Sequence, residues 1–330
     1  MKNICNLIGL FICAFFTSSC GVDSNNTNNL GINPNRPEGV YGVTQFENIA
    51  DIQSQIKPDA QTFGINDTST NSTITGASGT TININANGIL TAGGTPYMGV
   101  VTANLSEYLT PNAMILSGLQ TSSDGQLLVT GGSFDFSLKG ANGESLKLND
   151  WSSNARMPVE VTLEPNFQSS MRYYIGERIE VDGREQVNWS LNKRSQEFAI
   201  FDGFADFYGL TIGLANCDVL YNSVVTGLGT QFSVLLEGVT AYSNAIVWMY
   251  INDFPSVVQI TTLIENEEGF KTYDDSIPLG LNASLLAIYV DEENYLKYGT
   301  LQVEVQGDDV FTIPLEYGTA EDLVALINSL

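Results

Sequence analysis

Histidine is missing from all 330 residues, which removes Ser-His-Asp and Cys-His catalysis, histidine-ligated zinc and histidine pH switching together. Basic residues are scarce: 13 Lys and Arg face 37 Asp and Glu, for a net charge of −24. Phosphate backbones repel such a chain and no basic stripe offers them a footprint, so nucleic acid is excluded as a partner. Nucleotides are excluded too, because Gly76-Ala-Ser-Gly79 and Gly227-Leu-Gly229 lack the Lys-Ser/Thr ending and following helix of a phosphate loop. Gly-x-Ser-x-Gly is absent and no Ser-Lys nucleophile is expected. Charged residues make up 15% of the chain against 43% apolar, the balance of an ordinary folded protein. What abounds is glycine, 31 residues, with recurrent Thr, Ser, Asn, Val and Ile, the residues of strands and tight turns. A chain of 330 residues is expected to build more than one core.

The N-terminus reads as an address. Met1-Lys2-Asn3 supplies a small positive start, and Leu7 to Phe16 is an apolar run that suits a signal peptide and is too short to span a bilayer. Thr17-Ser18-Ser19-Cys20 follows, small residues leading into a cysteine. The string resembles the lipobox of bacterial lipoproteins, with Thr17 where Leu is usual. That resemblance implies cleavage before Cys20 and acylation of its thiol; an ordinary secretory signal with a chance cysteine is the alternative. Gly21 rather than Asp comes next, which by resemblance to gram-negative lipoproteins implies the outer membrane, surface exposure being left open. Residues 1–19 are therefore read as signal peptide, and 20–45 as the lipidated Cys20 with a flexible tether, Asn-rich and broken by Pro34 and Pro37. Cys5 and Cys13 leave with the signal, so Cys217 is the lone thiol of the body, without a disulfide. It reads as a small buried apolar residue, with a reactive thiol as the alternative.

The body is expected to be mostly β: two β-sandwich-like domains joined by an aromatic-rich β section, with a short N-terminal helix and a C-terminal helix. Phe46, Ile49, Ile52 and Ile56 have helical spacing, closed by Lys57-Pro58. Alternating runs such as Thr80 to Asn85, separated by Gly-rich turns, predict a sandwich over 46–150. The strings ITGASGTTININANGI, GTPYMGVVTANLSEY, AMILSGLQTSSDGQLLVTGGSFDFSL and ANGESLKL resemble a β-domain of gram-negative surface proteins and, in layout, the ZU5 type of β-sandwich, over about Gln61 to Leu148. Asn85 stands where that pattern has Pro. Some ZU5 proteins cleave themselves at His-Phe-Ser, an activity excluded here by the missing histidine.

Residues 151–229 form the aromatic-rich section, with Trp151, Trp189 and the run Phe198 to Tyr208. Gly213-Leu-Ala-Asn-Cys217-Asp218 resembles a Gly-Trp-x-Asn-Cys-Asp string of related lipoproteins, Leu214 replacing Trp. Residues 230–330 read as a second β domain in which Thr300–Val305 and Val310–Leu315 form a hairpin across Gln306-Gly-Asp-Asp309. Thr319 looks like the N-cap of a closing helix with Leu323, Leu326, Ile327 and Leu330 on its apolar face.

For chemistry, the sequence offers carboxylates and aromatics. Glu265 to Glu268, Asp274-Asp275, Asp291 to Glu293 and Asp308-Asp309 are acidic clusters in expected turns. Paired carboxylates can hydrolyse glycosides, and loose clusters can bind Ca2+ weakly, although no EF-hand spacing is present and no other cofactor is implied. Trp151, Trp189, Phe204, Phe207 and Tyr208 are candidate ligand-contact residues as a sugar-stacking platform, core packing being the competing reading. Asp275-Ser276-Ile277 resembles an O-glycosylation acceptor of some gram-negative exported proteins. The expectation is thus a non-enzymatic, lipid-anchored envelope protein that binds a glycan or a protein at the cell surface. A carboxylate-dependent hydrolase and a structural spacer are the alternatives.

Overall fold

Alternation decides the first layers. Along Thr81–Ile84, Ile82 and Ile84 turn into a core while Thr81 and Asn83 stay at the surface, and Val101–Tyr108 repeats the pattern with Val101, Ala103 and Leu105. The computed structural model describes residues 45–330 apart from 150, 160–164, 182–183, 194–197, 225–226, 228, 240–241 and 265–268. The signal peptide, Cys20 and the tether to residue 44 lie outside the described residues, as does the cluster Glu265 to Glu268.

One sheet runs in the order Gln61–Ile65, Val101–Tyr108, Gln126–Lys139, Gly213–Leu220, Arg172–Val181 and Arg184–Leu191, with Ser122–Ser123 paired onto Gln126–Leu127. A five-stranded sheet faces it: Phe198–Phe201, Phe204–Tyr208, Ser153–Pro158, Thr81–Ile84 and Ser72–Thr75. Ile82, Phe134, Phe136, Met157 and Phe207 close the space between them. The section 151–229, read in sequence as lying between two domains, pairs instead into both of these sheets. Its strands supply the edges and centre that the 46–150 strands leave unpaired.

The second sandwich packs Thr262–Leu263, Phe270–Lys271, Phe232–Leu236 and Asp309–Ile313 against Val257–Ile260, Ala245–Ile251, Asn282–Val290, Leu296–Glu304 and Glu316–Tyr317. The expected hairpin across Gln306 to Asp309 does not form. The Asp309 carboxylate accepts the Gln306 and Gly307 N–H groups, and the chain crosses to the facing sheet. There Asp309–Ile313 pairs in parallel with Phe232–Leu236. A hairpin and a crossing turn share the same Gly-Asp composition, so the local string does not separate them.

Between the sandwiches lies a third apolar layer. Ala245–Ile251 sends Ala245, Val247 and Met249 into the second sandwich but Ile246 and Trp248 outward, to meet Trp189, Val187 and Leu214 from the first. Strands buried on both faces read as continuous apolar runs, as Ala-Ile-Val-Trp-Met-Tyr-Ile does. Helices fill the layer: Ile49–Ile56, capped by Asn48, buries Ile52 and Ile56; Pro111–Leu116, capped by Thr110, buries Met114 and Ile115. Ala320–Asn328 carries the expected cap at Thr319, completed by the Asp322 carboxylate as a capping box, and buries Leu323 and Ile327.

Two strings that carried the family resemblance have structural jobs. Gly131 and Gly132 together stand opposite the single residue Cys217, a β-bulge in the pairing of Gln126–Lys139 with Gly213–Leu220. Gly132 sits at φ +116°, and a Cβ on Gly131 would lie 3.1 Å from Cys217 Sγ, Met171 Sδ and Val159 Cγ1. The turn at Gly76 to Thr80 is held by Glu107, whose carboxylate accepts the N–H of Ser78 and Thr80, each at 2.8 Å. Partial burial pushes that carboxyl up, but Ser78, Gln61 and Thr80 more than offset it and leave it below its usual range.

Candidate functional site

The five candidate aromatics separate by strand parity. Along Phe204–Tyr208, Ala205 and Phe207 face the core and Phe204, Asp206 and Tyr208 face out. Phe207 is fully buried, with Phe134, Tyr173 and Phe198 edge-on at 5.0–5.4 Å, and Trp189 is fully buried in the layer between the sandwiches. Neither ring can touch a ligand, so for these two the platform reading is corrected to core packing. Phe204 is half-buried under the Arg156 guanidinium, 4.4 Å from its ring, while Tyr208 and Trp151 are exposed. None of these three lines the cleft described below.

Among the described residues, Asp274-Asp275 and Glu292-Glu293 lie in turns. Asp291 is buried and accepts the N–H of Glu293 and Tyr295. Among the described residues no group of three or more His, Cys, Asp or Glu could hold a metal. Cys217 is buried against Met171 Sδ at 3.4 Å, and burial, then the nearby Asp218, raise its thiol well above the usual value. Contrary to the expectation for Ser-Lys spacing, Ser54-x-x-Lys57 and Ser190-x-x-Lys193 both occur; all four side chains are exposed, whereas a Ser-Lys nucleophile needs a lysine sheltered from water.

A cleft of about 600 Å³ opens where the two sandwiches meet, a volume suited to a small ligand. Its first wall is the Ser122–Leu127 hairpin with the edge strand Arg184–Leu191; its second is Val258 to Thr262 with Lys271 to Ile277. Asp124 and Gly125 turn the hairpin at φ +48° and +76°, the double left-handed geometry of a tight two-residue turn. The turn is pinned by Asn188: the Asp124 N–H donates to Asn188 Oδ1 at 3.1 Å, and Asn188 Nδ2 donates to Asp124 Oδ1 at 3.2 Å. Tyr273, 52% exposed, lays its ring on Gly125, where a Cβ would come within 3.2 Å. The mouth is thus built from one sandwich's turn and the other's tyrosine.

Three glutamines form the floor, each 5% exposed: Gln120, Gln186 and Gln259. Gln120 Nε2 donates to Gln186 Oε1 at 3.1 Å and to the Val187 carbonyl at 3.2 Å, while Gln120 Oε1 accepts the Gln259 backbone N–H at 3.2 Å. Backbone partners on both sides fix the orientation of the Gln120 amide, and that fixes which end of Gln186 is its oxygen. Gln186 Nε2 and Gln259 Oε1 then have no hydrogen-bond partner among the described residues. The lining carries Asp124, Asp274 and Asp275 against Lys271. Sequence reasoning found the Asp274-Asp275 pair but not the glutamines, which come from three distant segments with no local pattern to mark them.

Comparison of the chain with protein-family models and with curated proteins gives no match in either set.

Proposed function

We propose that this chain is a lipid-anchored envelope protein, held at the outer membrane through acylated Cys20, that binds a neutral glycan in the cleft between its sandwiches without transforming it. The observation that carries the reading is the cleft's lining: amides, hydroxyls and one exposed tyrosine ring, the groups that bond sugar hydroxyls and stack on a pyranose face. Three carboxylates against one ammonium make the cleft unwelcoming to phosphorylated or uronic sugars. A spacer has no use for such a recess. No helix among the described residues is long and apolar enough to cross a membrane, so the lipid on Cys20 is the proposed attachment.

One observation favours the hydrolase reading: Asp124 belongs to one wall and Asp274-Asp275 to the other. The two readings part in one experiment. Wild type and Cys20→Ala are expressed in a gram-negative host, cells are fractionated and treated with protease, and the released Cys20→Ala protein is applied to a glycan array. Membrane-bound wild type, soluble Cys20→Ala and array binding without new reducing ends support the proposal. Reducing ends that vanish in Asp124→Asn establish the hydrolase instead, and a Cys20→Ala protein still in the membrane removes the lipid anchor.

A further inference from the structure

The glutamine floor carries more than general affinity for sugars. Gln186 Nε2 is a buried donor on the first sandwich's wall and Gln259 Oε1 a buried acceptor on the second's, and both lack partners among the described residues. Unpaired polar atoms at this depth are costly, and native proteins retain them where something else completes the bond. A single group that completes both bonds must therefore accept from Gln186 and donate to Gln259. A trans secondary amide does this, since its carbonyl and its N–H point in opposite directions. A lone hydroxyl must serve both walls from a single atom.

A peptide also offers trans amides, but its usual way into such a place is by adding a strand to a free sheet edge. The edge that Val257–Ile260 presents on the second wall is already occupied. The Val257 N–H donates to Thr121 Oγ1 at 2.8 Å, the Val257 carbonyl accepts the Thr121 N–H at 2.6 Å, and the Gln259 N–H is taken by Gln120. A sugar needs no backbone edge. We propose that the pair Gln186 and Gln259 reads the acetamido group of a 2-acetamido sugar, with Gln186 donating to its carbonyl oxygen and Gln259 accepting its N–H. Gln120 is the positioning residue that orients Gln186 and joins the two walls. This inference rests on the glycan reading of the cleft and narrows it to one class.

Calorimetric titration of the Cys20→Ala protein with chitotriose, cellotriose and the blocked peptide N-acetyl-trialanine amide tests it. The two sugars share linkage and ring and differ at carbon 2, acetamido against hydroxyl. Chitotriose is expected to bind at least about tenfold more tightly, and Gln186→Met or Gln259→Met to erase that margin, bringing the two sugars to the same affinity. Far-ultraviolet circular dichroism of each variant, matching wild type, secures the comparison. Equal binding of the two sugars overturns the acetamido assignment and leaves the glycan cleft standing. Binding of neither sugar overturns both. Tighter binding of the peptide than of chitotriose overturns both as well and makes the cleft a protein-docking site.

Discussion

Two polar clusters are buried where the sandwiches meet, and they are built on opposite principles. One is sealed: Thr130, Asn216 and Asp218, all fully buried or nearly so, lie on the face of the large sheet turned from its own core, beside the contact of the Thr130 N–H with the Pro255 carbonyl. Thr130 Oγ1 donates to Asn216 Oδ1 at 3.2 Å, and Asn216 Nδ2 donates to Asp218 Oδ2 at 2.6 Å. The other, Gln120 with Gln186 and Gln259, opens into the cleft. Each contains an atom without a partner, Asp218 Oδ1 in the first and the two amide atoms in the second. In the sealed cluster the mismatch is relieved by a proton, since burial lifts the Asp218 carboxyl well above its ordinary 3.8. In the open cluster no group titrates, so only a ligand or solvent can complete the bonds. The same defect is thus met by internal chemistry in one place and, on the proposed reading, by a ligand in the other.

Breaking the sealed cluster should cost most. Asn216→Ala removes both of its hydrogen bonds, strands the Asp218 carboxyl and leaves a small void; a loss of about 3 kcal/mol is expected in urea unfolding. Gln120→Leu keeps the volume but removes three bonds that tie Gln186 and Val187 to Gln259, with an expected loss of about 2 kcal/mol. A Gln120 variant that loses less than Asn216→Ala supports the contrast between a sealed network and one that lines the cleft. The reverse order would mean that the floor of the cleft is the tighter seal.

Asp218 sharpens the contrast through pH. The folded chain holds a proton on Asp218 that the unfolded chain releases near 3.8, so this residue's contribution is most favourable below that value. Stability is lost as pH rises from there toward the raised folded value, by about 1.4 kcal/mol for each unit traversed. Asp218→Asn, which mimics the protonated acid, should therefore equal wild type near pH 4 and be the more stable of the two at pH 7. Unfolding curves at the two pH values check this, and an equal gap at both would remove proton uptake from the account.

Much of this architecture is legible in the chain. The first and last helices announce themselves by Asn48 and Thr319 caps before apolar residues at helical spacing, signals that are local and therefore readable. Alternation likewise fixes which side of Thr81–Ile84 is buried. What could not be read is any property set by a distant neighbour. Trp151 and Trp189 look alike in sequence, yet one is 62% exposed and the other lies under the second sandwich, because only tertiary packing distinguishes an edge from a junction. The Asp309–Ile313 strand alternates as a hairpin arm would, and its parallel partner is Phe232–Leu236, 77 residues earlier. The cleft fails for the same reason: Gln120, Gln186 and Gln259 acquire meaning only once two sheets meet.

The smallest expected effect is the most telling. Gln259 Oε1 is buried without a partner among the described residues, so exchanging Gln259 for Met of similar volume removes an unsatisfied acceptor, and its backbone N–H stays free to donate to Gln120. Deleting an atom that makes no bond forfeits none, and relief of its desolvation penalty offsets any loss of fit. Stability is expected to stay within about 0.5 kcal/mol of wild type, or to rise slightly, in the same urea assay. Asn216→Ala and Gln259→Met would then both alter a buried amide at the junction, one at severe cost and one at almost none. A loss of 2 kcal/mol or more in Gln259→Met would show that the carbonyl already has an internal partner, such as an ordered water, and the open cluster would join the sealed one as structure rather than site.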